Sequence, residues 1–232
     1  MHFSQFNNQN PTLFQPIGGM DQIVHAFERH TGSVIRYGRE VTEIRKRENG
    51  VRIIYQNRHG QERKYDADYA IVTIPATVLC NIESNISADY KAEIARMQYT
   101  KALKIAFESP RFWERDEQIY GGISWTDQDI TQIWYPASGY HDRSGIIVGA
   151  YIWDDGPAIR VAGLSPEKRL KLEIEQGELI HPQYRDEVRR GISRSWLKTP
   201  YSLGSCNAGN PPVLLAEPDD RIYVAGEHMN PL

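Results

Sequence analysis

Apolar residues fall at helical spacing first between Asp21 and Gly32, where Ile23, Val24 and Phe27 share a face. Asp21 is the expected N-cap and Gly32 the expected C-cap. Residues 33–37 (SVIRY) read as a short strand. The period then drops to two across EVTEIRKRENGVRIIYQ: Val51, Ile53 and Tyr55 alternate on one face, and Asn49-Gly50 joins two strands as a hairpin. Residues 69–74 form a continuous run without alternation, the pattern of a strand buried on both faces, and Pro75 ends it. Ser87 caps a helix that reaches about residue 97.

The character changes near Tyr99. YTKALKIAFE, YGGISW, QIWY and GIIVGAYIW read as strands separated by glycine turns. Within the first of them, Leu103, Ile105 and Phe107 share one face, and Ala102, Lys104 and Ala106 share the other. Asp154-Asp155-Gly156-Pro157 is a turn and helix entry rather than a carboxylate pair, because adjacent strand residues point to opposite faces. Ser165-Pro166-Glu167 opens a helix running to about Leu179. SRSWLKTPYSLGSC is strand then turn, and residues 222–225 are a last buried strand leading into Gly226, which opens a tight turn. The elements together predict an α+β chain: a small layer of strands, a larger antiparallel sheet with helices, and one strand that returns at the end.

Composition narrows the function classes. The chain has 232 residues, 40% hydrophobic and 25% charged, with a net charge of −3. That is enough for one large or two small domains, and it offers no basic surface for nucleic acid and no polybasic patch for a membrane. Two cysteines, Cys80 and Cys206, make no disulfide framework and fit a reducing compartment. The first fifteen residues lack the charged-then-apolar order of a signal peptide, and no apolar stretch is long enough to span a bilayer, so a cytoplasmic location is expected. There is no GxSxG, HExxH, GxxxxGK[ST] or GxGxxG. The seven histidines show no metal spacing, since His25 and His30 are five apart, and no metal site is expected. Patterning alone therefore reaches a soluble mixed domain and no reaction.

Eight stretches, taken in order, resemble the flavin-containing amine oxidases, most closely the bacterial L-amino-acid oxidases. They are QPIGGMDQIVHAF, REVTEI, DYAIVTIPATVL, KALKIAFESPRFWE, YGGISWTDQDITQIWYPAS, GAYIWDD, SWLKTPYSLGS and DRIYVAGEH, and they cover nearly the whole chain. The resemblance implies a discontinuous, Rossmann-like FAD-binding domain, partial here, at about 18–98 and 217–232. A substrate domain with a mixed or antiparallel sheet and flanking helices is expected at about 99–216. It also implies FAD as cofactor, a small amino acid or amine as substrate, and oxygen as electron acceptor. The implied reaction is oxidative deamination of an L-amino acid to a 2-oxo acid, ammonia and hydrogen peroxide. The family's GxGxxG segment and its C-terminal aromatic-glycine segment are not among these residues, so the expectation is a fragment, inactive as isolated, or one chain of a split enzyme whose partner supplies GxGxxG. The alternatives are a monoamine or polyamine oxidase, an amino-acid 2-monooxygenase, or a non-catalytic binding module with the same fold.

The resemblance assigns roles residue by residue. Lys104 matches the lysine that holds a water near the flavin; the plain alternative is a solvated lysine on an exposed strand. Tyr135 matches a tyrosine whose hydroxyl binds the substrate carboxylate. Trp196 matches a tryptophan against the flavin. Val41 matches a position whose backbone meets the adenine, Gly226 opens the turn after the last strand, and Glu227 matches a carboxylate that accepts from the flavin's hydroxylated chain. Thr73, Ile74 and Pro75 end a strand whose carboxyl end is expected to face the ligand crevice.

Overall fold

The structure, a computed structural model, describes residues 14–229. The N-terminal stretch read for a leader pattern lies largely outside that range. The chain separates into two compact units, one holding the described residues up to Glu40 with Tyr55–Arg63, the other Val41–Ile54 with the residues from Lys64 onward.

In the smaller unit, Gly18 and Gly19 take positive φ (96° and 112°) and turn the chain into helix α1, Asp21–Thr31. Asp21 is the first helical residue rather than the cap: Met20 holds the cap position, and no side chain closes it. An acid in the first turn still favours the start, because it faces the unpaired N–H groups there. Ile23, Val24 and Phe27 line one face as expected, yet all three are exposed. Residues 33–37 are not a strand. The amides of Gly32 and Val34 bond back to Glu28 and Thr31, so the backbone stays turn-like and finds no strand to pair with.

Strands β1 (Arg39–Arg47), β2 (Gly50–Asn57) and β3 (Glu62–Ala67) follow, and Gly50 has φ 142°; a Cβ there would press on the Ala67 carbonyl at 2.5 Å. Strand β4 is Ala70–Val72, followed by helix α2 (Ala76–Leu79), the short strand β5 (Glu83–Ser84) and helix α3 (Ala88–Arg96). The first four-stranded sheet runs β3-β2-β1-β5, with β5 parallel to β1. Ile44, Val51, Val72, Leu79, Tyr90, Ile94, Leu215 and Ile222 form its core. Asp219 pins the returning chain to this core, accepting from Lys46 Nζ at 2.9 Å and from the Ser87 amide at 2.8 Å.

Beyond Tyr99 lie β6 (Leu103–Pro110), α4 (Phe112–Arg115), β7 (Gly122–Trp125), β8 (Gln132–Tyr135) and β9 (Ser144–Ile152). Helices α5 (Asp155–Gly163), α6 (Pro166–Gly177) and α7 (Tyr184–Glu187), then strand β10 (Arg189–Ser195), complete this region. Its five-stranded antiparallel sheet runs β10-β6-β9-β8-β7. Along β6, burial alternates strictly, so Leu103, Ile105 and Phe107 enter a core with Phe112, Trp113, Ile133, Ile147 and Tyr184. Removing any of these large side chains from water stabilises by roughly 1.5–3 kcal/mol. Helix α6 starts as its sequence requires: Pro166 stands first and Ser165 Oγ accepts from the Lys168 amide at 3.4 Å. Arg169 on α6 is buried and donates to the carbonyls of Val161 (3.1 Å) and Ala162 (2.8 Å), which closes the end of α5.

The last strand, β11 (Ile222–Val224), pairs in parallel with β4, with Ile71 opposite Tyr223. Strands about 150 residues apart thus build one two-stranded parallel sheet. The expectation of burial on both faces fails here. Val72 and Ile222 enter the first core, but Tyr69, Ile71 and Tyr223 remain exposed, because among the described residues no element packs on that face. Tyr69 and Tyr223 instead lean on each other, with Arg221 over the Tyr69 ring at 5.1 Å.

Candidate active site

Lys104 is the second residue of β6, opposite Tyr151 of β9 and Arg194 of β10. Cross-strand partners point to the same face, so this register builds one row across the sheet. The Lys104 ammonium lies 4.1 Å from the centroid of the Tyr151 ring and 5.9 Å from that of Trp196. Both contacts place a cation over an electron-rich ring. A small neighbour leaves room: Ala106 is the next side chain on this face of β6. Half-buried Lys104 loses hydration, and this lowers its pKa below the ordinary lysine value. The aromatic surface continues beside it, with Trp134 edge-on to Tyr151 at 5.5 Å and Tyr151 beside Trp153 at 5.0 Å. Trp196 is fixed just after β10: its amide donates to the Ala102 carbonyl at 3.1 Å, and its carbonyl accepts from Gly204 at 3.1 Å. Lys104 and Trp196, each expected in the site on its own, thus stand close to one another.

Tyr135 is not part of this face. It is 5% exposed and belongs to the core on the opposite side of the sheet. Its hydroxyl meets Ser124 Oγ at 2.8 Å and His181 Nε2 at 2.5 Å, and His181 Nδ1 meets Glu117 Oε1 at 2.7 Å. Burial pushes the phenol up, the bond to Ser124 partly offsetting it. The physical reason is strand alternation: of the adjacent residues Trp134 and Tyr135, only Trp134 shares the side of Tyr151 and Lys104. Aromatic residues at both positions hid this choice in the sequence.

The remaining expected residues, Val41 apart, lie at the carboxyl ends of β4 and β11. The Ala225 amide donates to the Val72 carbonyl at 3.0 Å, so the two ends lie side by side. Exposed Thr73 and half-buried Ile74 and Pro75 leave one; Gly226 and Glu227 leave the other. Gly226 has φ 129°, and a Cβ on it would stand 3.0 Å from the His228 ring. The Glu227 carboxylate is exposed and accepts from the Asn207 amide at 3.2 Å. His228 is 4% exposed, with no hydrogen-bond partner for Nε2 among the described residues. Val41, half-buried in β1, packs on the same core as Val72 and Val224. A glycine-opened turn, an exposed carboxylate with acceptor capacity left beyond its bond to Asn207, and an unsatisfied buried nitrogen at the ends of parallel strands suit a ligand rich in hydroxyls, such as the sugar chain of a dinucleotide.

Paired parallel strands ending at one point are joined in sequence to an antiparallel sheet with a lysine on an aromatic face, a two-part α+β architecture. The sequence matches the family of flavin containing amine oxidoreductases over residues 1–231, and the chain belongs to that family, whose cofactor is FAD. It is 31% identical over 235 residues to the flavin-dependent L-tryptophan oxidase RebO of Lentzea aerocolonigenes, covering 94% of this chain and 49% of that protein. To the putative L-amino-acid oxidase YobN of Bacillus subtilis (strain 168) it is 32% identical, covering 94% of this chain and 48% of that protein. Among solved structures, a wild-type putrescine oxidase bound to putrescine superposes with a TM-score of 0.73 at 15% identity, over 91% of this chain and 49% of that one. Cyclohexylamine oxidase from Brevibacterium oxydans IH-35A gives 0.71 at 18% identity, over 90% of this chain and 47% of that one. At those identities the two show the fold alone. The chain spans about half the length of these relatives. No helix of the described residues is long and apolar enough to cross a membrane.

Proposed function

We propose that the protein carrying this chain oxidises the bond between the α-carbon and the amine of an L-amino acid. The observation that carries the reading is Lys104, a cation held half-buried on Tyr151 and Trp196, in a chain whose relatives at 31% and 32% identity are named as an L-tryptophan oxidase and a putative L-amino-acid oxidase. FAD, when bound, supplies the redox chemistry, accepting a hydride from the α-carbon and passing two electrons to oxygen. The amino acid becomes an imino acid, water converts that to a 2-oxo acid and ammonia, and oxygen with two protons becomes hydrogen peroxide.

The chain's own residues orient and polarise. Lys104 Nζ is a fixed donor that positions a water and adds positive charge where oxygen is reduced. Trp196 and Tyr151 cover it on one side and keep bulk solvent away. Glu227 accepts from hydroxyls of the cofactor, with the turn at Gly226 and the strand end at Thr73, Ile74 and Pro75 giving the backbone room to approach it. Val41 supplies backbone groups alone. Tyr135 is left out of the substrate contacts, because its hydroxyl is already engaged by Ser124 and His181.

The test is to incubate the purified full-length protein that carries this chain with FAD, remove free flavin by gel filtration, and record the flavin absorbance that stays with the protein. Peroxide release is then measured with a panel of L-amino acids and, separately, with putrescine. Retained flavin and peroxide from L-amino acids are expected. Peroxide from putrescine alone, or no retained flavin, would refute the reading.

A further inference from the structure

The connection between β8 and β9 folds back on α4 and encloses a cavity of about 460 Å³ at the Pro110 end of β6. Lys104 stands near the other end of that strand, about 20 Å away at the rise of an extended chain, so the cavity is separate from the aromatic face. One wall is Arg111, only 6% exposed. Its Nε donates to Glu114 Oε1 at 2.7 Å and its Nη2 to the Ser138 carbonyl at 2.7 Å. Nη1 makes no hydrogen bond among the described residues. Two glycines leave it uncovered: a Cβ on Gly145 would stand 2.6 Å from Nη1, and one on Gly139 3.7 Å away. A buried charged group with an open donor edge is costly unless an acceptor meets it.

The second open cation is Arg143, which lines the same cavity, is exposed, and has no carboxylate partner among the described residues. Glu114 has no capacity to spare for it. One Glu114 oxygen is held by Arg111, and the other accepts from the His141 amide at 2.9 Å, a bond that keeps His141 at φ 64°, rare outside glycine. Arg115, also on the wall, is engaged by Asp116 and Glu187. The acid left to oppose an anion is Asp142, whose carboxylate lies over Gly139.

We propose that this cavity binds a small oxyanion, a phosphate or carboxylate group, between Arg111 Nη1 and the Arg143 guanidinium. Guanidinium donors match the spacing of oxyanion oxygens, and charge-assisted bonds of this kind are strong when one partner is already buried and fixed. An oxyanion entering over Gly139 and Gly145 meets the open edge of Arg111, ties α4 to the β8–β9 connection, and moves the Asp142 carboxylate outward. The proposal is independent of the oxidase reading.

The test is the melting temperature of the full-length protein that carries this chain, in phosphate, acetate or chloride at one fixed ionic strength. A ligand that binds the folded state alone raises it saturably. A rise over chloride is expected with phosphate, acetate or both; phosphate alone assigns a phosphate-bearing ligand, acetate alone a carboxylate. Arg143→Gln should weaken the effect about 10- to 100-fold, as loss of a charged hydrogen bond does, and Arg143→Lys should recover part of it, which a folding defect would not produce. Gly145→Ala should also weaken it, by placing a methyl against Nη1. Asp142→Asn should tighten it, because the opposing charge is gone. No rise over chloride with either anion overturns the proposal. So does an undiminished rise in Arg143→Gln, or weaker binding in Asp142→Asn.

Discussion

Glu173 offers the sharpest test of how the substrate-side core is held. Its side chain is fully buried on α6, one oxygen accepts from the Tyr184 hydroxyl at 2.7 Å, and the other has no partner. Gly149 of β9 is a glycine for the same reason, since a Cβ there would collide with both Glu173 and Tyr184. Burial raises the carboxyl to about 8 from an ordinary 4.5, Tyr184 offsetting only part of it. The folded state therefore keeps a proton that the unfolded state releases between those values, and stability must fall as pH rises through that window and level off above it. The slope is at most about 1.4 kcal/mol per pH unit, and from pH 6 to 8 the loss is about 2 kcal/mol. Histidines titrate in the same range, so the comparison is with Glu173→Gln, which keeps the acceptor for Tyr184 and cannot ionise. Denaturant unfolding followed by tryptophan fluorescence at pH 6, 7 and 8 gives both stabilities. The variant should gain about 2 kcal/mol relative to wild type between pH 6 and 8. A difference that stays constant with pH would mean that Glu173 is hydrated and ionised in the folded protein.

Arg169→Met should destabilise by about 2–4 kcal/mol in the same assay, because the Val161 and Ala162 carbonyls at the end of α5 lose their charged donor; a change below about 0.5 kcal/mol would show that water replaces it. Tyr135→Phe should cost about 1–3 kcal/mol by leaving His181 and Ser124 without the shared hydroxyl, while KM for an amino acid stays near wild type. A large KM rise with intact stability would return Tyr135 to the substrate. Lys104→Met should leave the melting temperature unchanged or raised, since a partly dehydrated ammonium is replaced by an apolar chain of similar length, while oxygen-dependent turnover drops. Unchanged turnover with oxygen would remove Lys104 from the chemistry.

Much of the fold could be read from periodicity because local chemistry and packing agreed. Strand β6 alternates in sequence and alternates in burial, and Ser165-Pro166 starts α6 by the mechanism its residues suggest. The failures share a cause. Residues 33–37 have strand composition, but a strand needs a neighbour, and none is supplied there. Residues 69–74 have the composition of a doubly covered strand, but only the face bearing Val72 meets a core. Composition records what an element tolerates; the partner decides what it becomes.

The site shows the same division more finely. Lys104 could be singled out because alanines flank it and aliphatic residues fill the other face, so the pattern and the resemblance agreed. Tyr135 could not be placed, because QIWY carries aromatic residues on both faces and only the register with β9 decides which one stands beside Tyr151. The neighbours of Lys104 show the same limit. The row Arg194, Lys104, Tyr151 joins residues from three strands far apart in sequence. Tyr151 stands opposite Lys104 only because β6 and β9 pair in that register, and nothing local in either strand records it.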